Sequence, residues 1–323
     1  MVKSNLRVLI STSTFGEISG EPLERLHEFG AEYQLNPHGR KLKPAETVAL
    51  LQNCNGIIAG TEQLDRAVLA QAPSLQVISR CGTGLDNVDL NAAAELGIQV
   101  MITPGALADA VSELALGGIL DLLRRISAAD RAIRQGLWEK PMGAMLRGKT
   151  VGIIGLGRVG KQLARLLRPF DVKILASDPC EDESFAQQFG IEYVTLDALL
   201  RASDIVTLHL SYTPQVYHLL DKTRLSQMKE SALLVNCARG GLVDEAALYD
   251  LMRQGQLAGA YLDNFETEPY AGPLAELSNV LMTPHMGSYA RECRASMELE
   301  AVQNLIQFFQ TQTSHSKRDA LPL

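Results

Sequence analysis

The stretch VGIIGLGRVGKQLARLL, residues 151–167, decides how this chain is read. It opens on a β-branched run (Val151, Ile153, Ile154), turns through Gly155, Gly157 and Gly160, and leaves as an amphipathic helix. The G-x-G-x-x-G spacing means little alone, but between a strand and a helix it is a dinucleotide-binding fingerprint. Gly155 allows the tight turn, Gly157 lets the backbone approach a pyrophosphate, and Gly160 lets the helix pack against the strand. The helix start, at Arg158 and Val159, offers unpaired N–H groups and a partial positive charge to phosphate. The next predicted strand, residues 173–177, runs into Asp178, 18 residues beyond Gly160. An acid near that position bonds ribose hydroxyls. Glu181, Asp182 and Glu183 follow closely with no base among them. Like charges repel the 2′-phosphate of NADP, so the expected cofactor is NAD.

Working outward, short apolar runs alternate with helical stretches in both directions. Strands are predicted at residues 6–11, 32–35, 56–59, 75–79 and 98–102, with helices at 22–29, 44–51, 65–71 and 90–95 between them. Beyond the glycine motif, strands are predicted at 205–208, 233–236, 259–262 and 280–282, and helices at 245–254 and 292–309. Such alternation makes βαβ units and a parallel sheet covered on both faces. The fold class is therefore α/β, with two doubly wound parallel-sheet units, Rossmann-like or flavodoxin-like, on either side of Pro104. A long apolar stretch at 106–126 carries Asp109, Glu113, Asp121, Arg124 and Arg125, which a membrane span would not tolerate. It reads as a buried helix. The polar segment 127–149 that follows holds the only tryptophan, Trp138, and the tail from residue 311 is expected to be mobile.

At 323 residues the chain is long enough for two domains. Its 46% hydrophobic and 21% charged residues exclude intrinsic disorder. The formal charge of −7, without basic runs, argues against nucleic-acid and anionic-membrane partners. The five cysteines (Cys54, Cys81, Cys180, Cys237, Cys293) form no C-x-x-C pair and are odd in number. They read as reduced thiols, which places the protein in the cytoplasm and predicts no metal site. The first residues read as a strand, not a signal peptide.

Five segments together resemble one family, the D-2-hydroxyacid dehydrogenases, and within it most nearly the phosphoglycerate dehydrogenases. They are SRCGTGLDNVDL (79–90), GLGRVGK (155–161), NCARGGLVDE (236–245), LDNFETEP (262–269) and TPHMGS (283–288), in the family's order. The resemblance implies a discontinuous substrate-binding domain, residues 1–102 plus 287–323, around an NAD-binding Rossmann domain, residues 103–286, with the active-site cleft between them. It places the catalytic trio on Arg239, Glu268 and His285. The chemistry suits the types: a neutral His285 accepts the hydroxyl proton as hydride leaves for the nicotinamide. Glu268 fixes its tautomer and favours the charged ring, and Arg239 forks onto the substrate carboxylate. Glu266 competes for the acid role, and the family's pattern of acid before proline selects Glu268.

The family's cofactor contacts carry over to Thr83, Arg158, Val159, Asp178, Leu210, Cys237, Ala238 and Asp263, and its substrate contacts to Arg80, Gly82, Thr83, Gly84 and Arg239. Cys237 is expected to be a packed thiol and not a nucleophile. An Arg-Ser pair common in phosphoglycerate dehydrogenases is replaced by Ala59 and Gly60, an Asn by Leu107, and a Pro by Ser211. The expected activity is thus interconversion of a small D-2-hydroxy acid and its 2-oxo acid. 3-Phosphoglycerate and unphosphorylated acids are the candidate substrates, and an NAD-sensing corepressor is the alternative class. No regulatory domain is expected after residue 323. The resemblance further implies a homodimer, with Trp138 buried against the partner.

Overall fold

The computed structural model describes residues 6–105 and 107–318, excluding the side chains of 313–318. Its elements, in chain order, begin with β1 (Arg7–Ile10), α1 (Glu21–Phe29), β2 (Glu32–Leu35), α2 (Pro44–Leu51), β3 (Gly56–Ala59), α3 (Arg66–Leu69), β4 (Val77–Arg80), α4 (Leu90–Glu95) and β5 (Gln99–Ile102). There follow α5 (Leu107–Arg124), α6 (Ile126–Arg134), β6 (Thr150–Ile154), α7 (Arg158–Leu167), β7 (Lys173–Ser177), α8 (Glu183–Phe189), β8 (Ile191–Tyr193), α9 (Leu196–Ala202) and β9 (Ile205–Leu208). The last are α10 (Lys222–Leu225), β10 (Leu233–Asn236), α11 (Glu245–Arg253), β11 (Gly259–Leu262), β12 (Val280–Met282) and α12 (Arg291–Arg318).

The chain divides into two compact units, Met1–Leu107 with Ser288–Leu323, and Ala108–Gly287. In the first, five parallel strands run in the order β2-β1-β3-β4-β5. Leu9, Ile57 and Ile78 lie fully buried at the centre, packed with Leu64, Leu69 and Ala92. Burying each such aliphatic side chain is worth about 1.5–3 kcal/mol. α12 returns to this sheet, where the Ser79 hydroxyl donates to the Ala301 carbonyl at 2.9 Å. Side-chain caps start the helices: Asp65 accepts from the Val68 amide and Asp89 from the Ala92 amide.

The second unit has seven parallel strands, β12-β11-β10-β9-β6-β7-β8. Strand order reverses between β6 and β9, which pair from Val151↔Ile205 to Ile154↔Leu208. A crevice outside the carboxyl ends of such strands is where doubly wound sheets take ligands. β10 and β11 are buried along their whole length, as parallel strands between two helical layers must be.

Three elements differ from the sequence expectation. Residues 127–134, expected to be part of a polar arm, join Ile126, expected to end the buried helix, in α6, in which no residue is buried. β8 joins the sheet edge without having been predicted. α12 runs to Arg318, nine residues past the expected end, on into a tail whose residues 319–323 lie outside the described ones. Residue 106, the expected start of α5, lies outside them too. Among the described residues no helix is long and apolar enough to cross a membrane.

Candidate functional site

The glycine turn sits at the reversal point of the second sheet. Gly155 has φ +92°, and a Cβ there would come within 2.8 Å of the His209 backbone. At Gly160 it would lie 2.2 Å from the Gly155 carbonyl, whereas at Gly157 it would meet open space. Two glycines are thus demanded by the fold and the third faces a void beside the start of α7, the cradle a dinucleotide pyrophosphate requires. Asp178, at the end of β7, accepts from the Leu156 amide (2.7 Å) and the Cys180 amide (2.8 Å), so it also braces the turn. Leu210 follows β9 on the other side of the crevice. His209 is half-buried, with Nε2 2.8 Å from the Thr207 hydroxyl; desolvation of its ring pulls its pKa down to about 4 and keeps it neutral.

Farther along the same carboxyl edge, the loops after β10, β11 and β12 carry Arg239, Glu268 and His285. Arg239 begins a short 3₁₀ turn, Gly240–Leu242, and its Nη1 donates to the Ala238 carbonyl at 2.7 Å. Asn236 clasps this turn, accepting from the Ala238 amide and donating to the Arg239 carbonyl. A Cβ at Gly240 would stand 1.9 Å from the Phe265 carbonyl carbon. Only glycine therefore lets the Arg239 turn approach the segment leading to Glu268. His285 Nδ1 lies 2.9 Å from Glu268 Oε2 and 3.1 Å from Oε1. Burial acts to raise the Glu268 pKa, but the His285 hydrogen bond and charge, the Phe265 amide and the Arg239 charge outweigh it and leave it below the ordinary carboxylate range. His285 Nε2 has no hydrogen-bond partner among the described residues.

His285 adopts φ +55°. A side chain in the left-handed region costs on the order of 1–3 kcal/mol unless its surroundings impose it. Here they do: the His285 amide bonds the Thr283 carbonyl at 3.0 Å. Fully buried Asp263 accepts from the Thr283 hydroxyl (2.5 Å), the Met286 amide (2.8 Å) and the Gly287 amide (2.9 Å). Burial raises the Asp263 pKa, against these bonds. Cys237 is buried and its thiol is pushed upward by that burial, so it is no thiolate.

The family model described as D-isomer specific 2-hydroxyacid dehydrogenase, NAD binding domain, matches residues 116–287. The chain belongs to that family. Its second unit is accordingly an NAD-binding domain, in a family of NAD-dependent oxidoreductases. The chain is 36% identical over 303 residues to a glyoxylate reductase of Korarchaeum cryptofilum, covering 90% of each. It is 35% identical over 294 residues to a D-3-phosphoglycerate dehydrogenase of Archaeoglobus fulgidus, covering 90% of this chain but 55% of that protein, so it spans about half that relative's length. A solved D-lactate dehydrogenase from Aquifex aeolicus, complexed with NAD and lactic acid, superposes with a TM-score of 0.84 at 26% identity, covering 96% and 97% of the two chains.

The remaining predicted contacts lie in the first unit of this family member, at the end of β4 and in the loop that follows it. Gly82 (φ +142°) donates to the Thr103 hydroxyl at 2.7 Å and accepts from the Thr103 amide, which pins the loop through Thr83 and Gly84. Arg80 is turned inward, 8% exposed, with Nη1 on the carbonyls of Cys81 and Ala59. Sequence reasoning missed Thr283, whose hydroxyl links Tyr261 to Asp263. It also missed a second histidine–glutamate pair, His218 with Glu266, at 2.9 Å. The first had a signal in the spacing T-x-H; the second had none.

Proposed function

We propose that this protein interconverts a small D-2-hydroxy acid and its 2-oxo acid with NAD, with residues 1–102 and 287–323 carrying substrate contacts. The observation that supports this most is the His285–Glu268 pair, held at one nitrogen and open at the other, on the same sheet edge as the glycine turn. Bound NAD supplies the hydride acceptor or donor. Glu268 holds the proton on His285 Nδ1, so that the neutral ring presents Nε2 as the base for the hydroxyl proton. When the proton arrives, the ionised Glu268 carboxylate stabilises the imidazolium, which returns the proton to the ketone oxygen in the reverse direction. Arg239 binds the substrate carboxylate and polarises the neighbouring carbonyl. The Gly82–Gly84 loop adds backbone N–H groups.

The test is NADH oxidation with a panel of unphosphorylated and phosphorylated 2-oxo acids. No turnover of any of them, with a folded protein, would sink the reading. NAD is the preferred cofactor over NADP, because Asp178 stands at the end of the strand that follows the glycine turn, where an acid suits ribose hydroxyls and not a 2′-phosphate. Asp178→Ala should narrow that preference about tenfold or more, read as the ratio of kcat/KM for the two coenzymes. We also propose a cytoplasmic homodimer. Trp138 is 83% exposed within its own chain, and Ile126, Ile133, Leu137, Met142 and Met145 beside it in sequence are exposed as well. Apolar side chains crowded in one stretch mark an interaction surface, and a second copy would cover it. Light scattering that gives a monomer at micromolar concentration would remove this proposal.

A further inference from the structure

The first unit has its own reversal point, between β1 and β3 in the order β2-β1-β3-β4-β5. The crevice outside those carboxyl ends is where such a sheet takes a ligand, and here the chain fills it with its own acid. Glu62 is 1% exposed. It spans the two strand ends: the Ser11 hydroxyl, after β1, donates to Oε1 at 2.6 Å, and the Gly60 amide, after β3, donates to Oε2 at 3.0 Å. The loop is locked from the other side by the Asn87 side-chain amide, which donates to the Glu62 carbonyl at 2.6 Å. A Cβ on Gly60 would lie 3.0 Å from Glu62 Oε2 and 3.3 Å from Thr12 Cγ2, so no side chain at position 60 reaches into the crevice while Glu62 occupies it. An adjoining surface cavity, lined by Lys41, Thr61, Gln63, Asp65, Asp86 and Asp89 among others, carries three acids against one base.

We infer that Glu62 determines substrate specificity, by occupying the donors that a second anionic group of the substrate would need. The amide and hydroxyl at this edge would otherwise suit a phosphate oxygen. With the Glu62 side chain already on them and acids around the neighbouring cavity, a phosphorylated acid meets lost hydrogen bonds at the one and repulsion at the other. The substrate class is therefore a short 2-hydroxy or 2-oxo acid without a phosphate. This rests on the activity proposed above.

The experiment compares D-glycerate with D-3-phosphoglycerate, which differ only in the phosphate, as substrates of the wild-type protein, Glu62→Gln and Glu62→Thr with NAD. Binding of inorganic phosphate to the NAD-loaded proteins is measured alongside by calorimetry. Wild type should favour D-glycerate in kcat/KM by at least about tenfold, and both variants should narrow that ratio about tenfold and gain phosphate affinity. Unfolding midpoints identify the folded variants, and either one suffices. A wild type that uses D-3-phosphoglycerate as well as D-glycerate overturns the inference while leaving the activity reading intact. So does an unchanged ratio in a folded variant. If neither acid is turned over, the phosphate measurement decides on Glu62 by itself: no gain of affinity in either folded variant overturns its role, and the activity reading is judged separately on the full panel of acids.

Discussion

Two histidine–glutamate pairs stand in the second unit, and they are built alike. His285 (φ +55°) bonds Glu268 and His218 (φ +50°) bonds Glu266, each at 2.9 Å, with the two acids drawn from one loop. Histidine is among the residues that enter the left-handed region more readily, and in both cases the loop imposes it. They differ in what the second ring nitrogen meets. His218 uses Nε2 for Glu266, and its Nδ1 points at Asp244 from 4.0 Å. Its ring stacks on Tyr217 with centroids 3.8 Å apart. Glu266 is further tied to Glu245, accepting from its amide and donating its own amide to the Glu245 carboxylate. Burial, with the charges of Glu266 and Glu268, raises the Glu245 pKa against the Glu266 amide. His218 is thus a clamp between loops. His285 spends Nδ1 on Glu268 and leaves Nε2 open, the nitrogen proposed above as the base. The same two residue types make a fastener or an acid–base pair according to whether one nitrogen stays open.

The largest effect separates the pairs directly. His285→Ala should lower kcat by about 10²–10⁴-fold, the usual worth of general acid–base help, while His218→Ala should cost activity less than about tenfold and lower the unfolding midpoint instead. Steady-state kinetics with thermal melts on both variants checks this, and equal kcat losses would erase the distinction. Next in size, Glu268→Gln should reduce kcat about 10–100-fold, because the imidazolium loses its carboxylate partner. Glu266→Gln should change kcat less than about threefold in the same steady-state assay. The sign for stability follows from the depressed Glu268 pKa. The pair's contribution is present above the ordinary carboxylate pKa of about 4.3 and is lost as pH falls through the lower folded value.

The smallest effect removes a confusion between inactivation and unfolding. His209 has a folded pKa of about 4, below the ordinary histidine value of about 6.5, so the unfolded chain binds the proton more tightly. Stability should therefore decline as pH drops from about 6.5 towards 4, and His209→Gln should flatten that slope in melts followed by circular dichroism. An unchanged slope in the variant would assign the decline elsewhere.

These distinctions were only partly legible in the chain itself. The seven-stranded sheet could be read closely: residues 150–154, 173–177, 205–208, 233–236, 259–262 and 280–282 are strands in the structure as in the sequence reading. Each is a short apolar run, buried along its whole length in 205–208, 233–236 and 259–262 and at least in part in the others, and such runs announce themselves. β8 escaped because three edge residues hold too little pattern. α6 escaped because a helix that buries nothing has no face for periodicity to mark. Of the site, the glycine turn was legible by spacing. The proline beside Glu268 favoured it over Glu266, but only the fold shows that each acid has its own histidine. The bonds of Asp263 and Glu62 go largely to backbone amides, which carry no residue code.

The clasp around Asp263 has a consequence for timing. Three donors from residues 283–287 converge on one carboxylate, so the backbone beside the His285 ring is set when the chain folds, and under the catalytic role proposed above its ordering entropy is spent once and not at every turnover. Asp263→Asn, which trades an acceptor for a donor facing donors, would leave the imidazole chemically intact but free to wander. Such a protein would still carry its imidazole and yet lose rate, as a group does once it has no fixed place to stand.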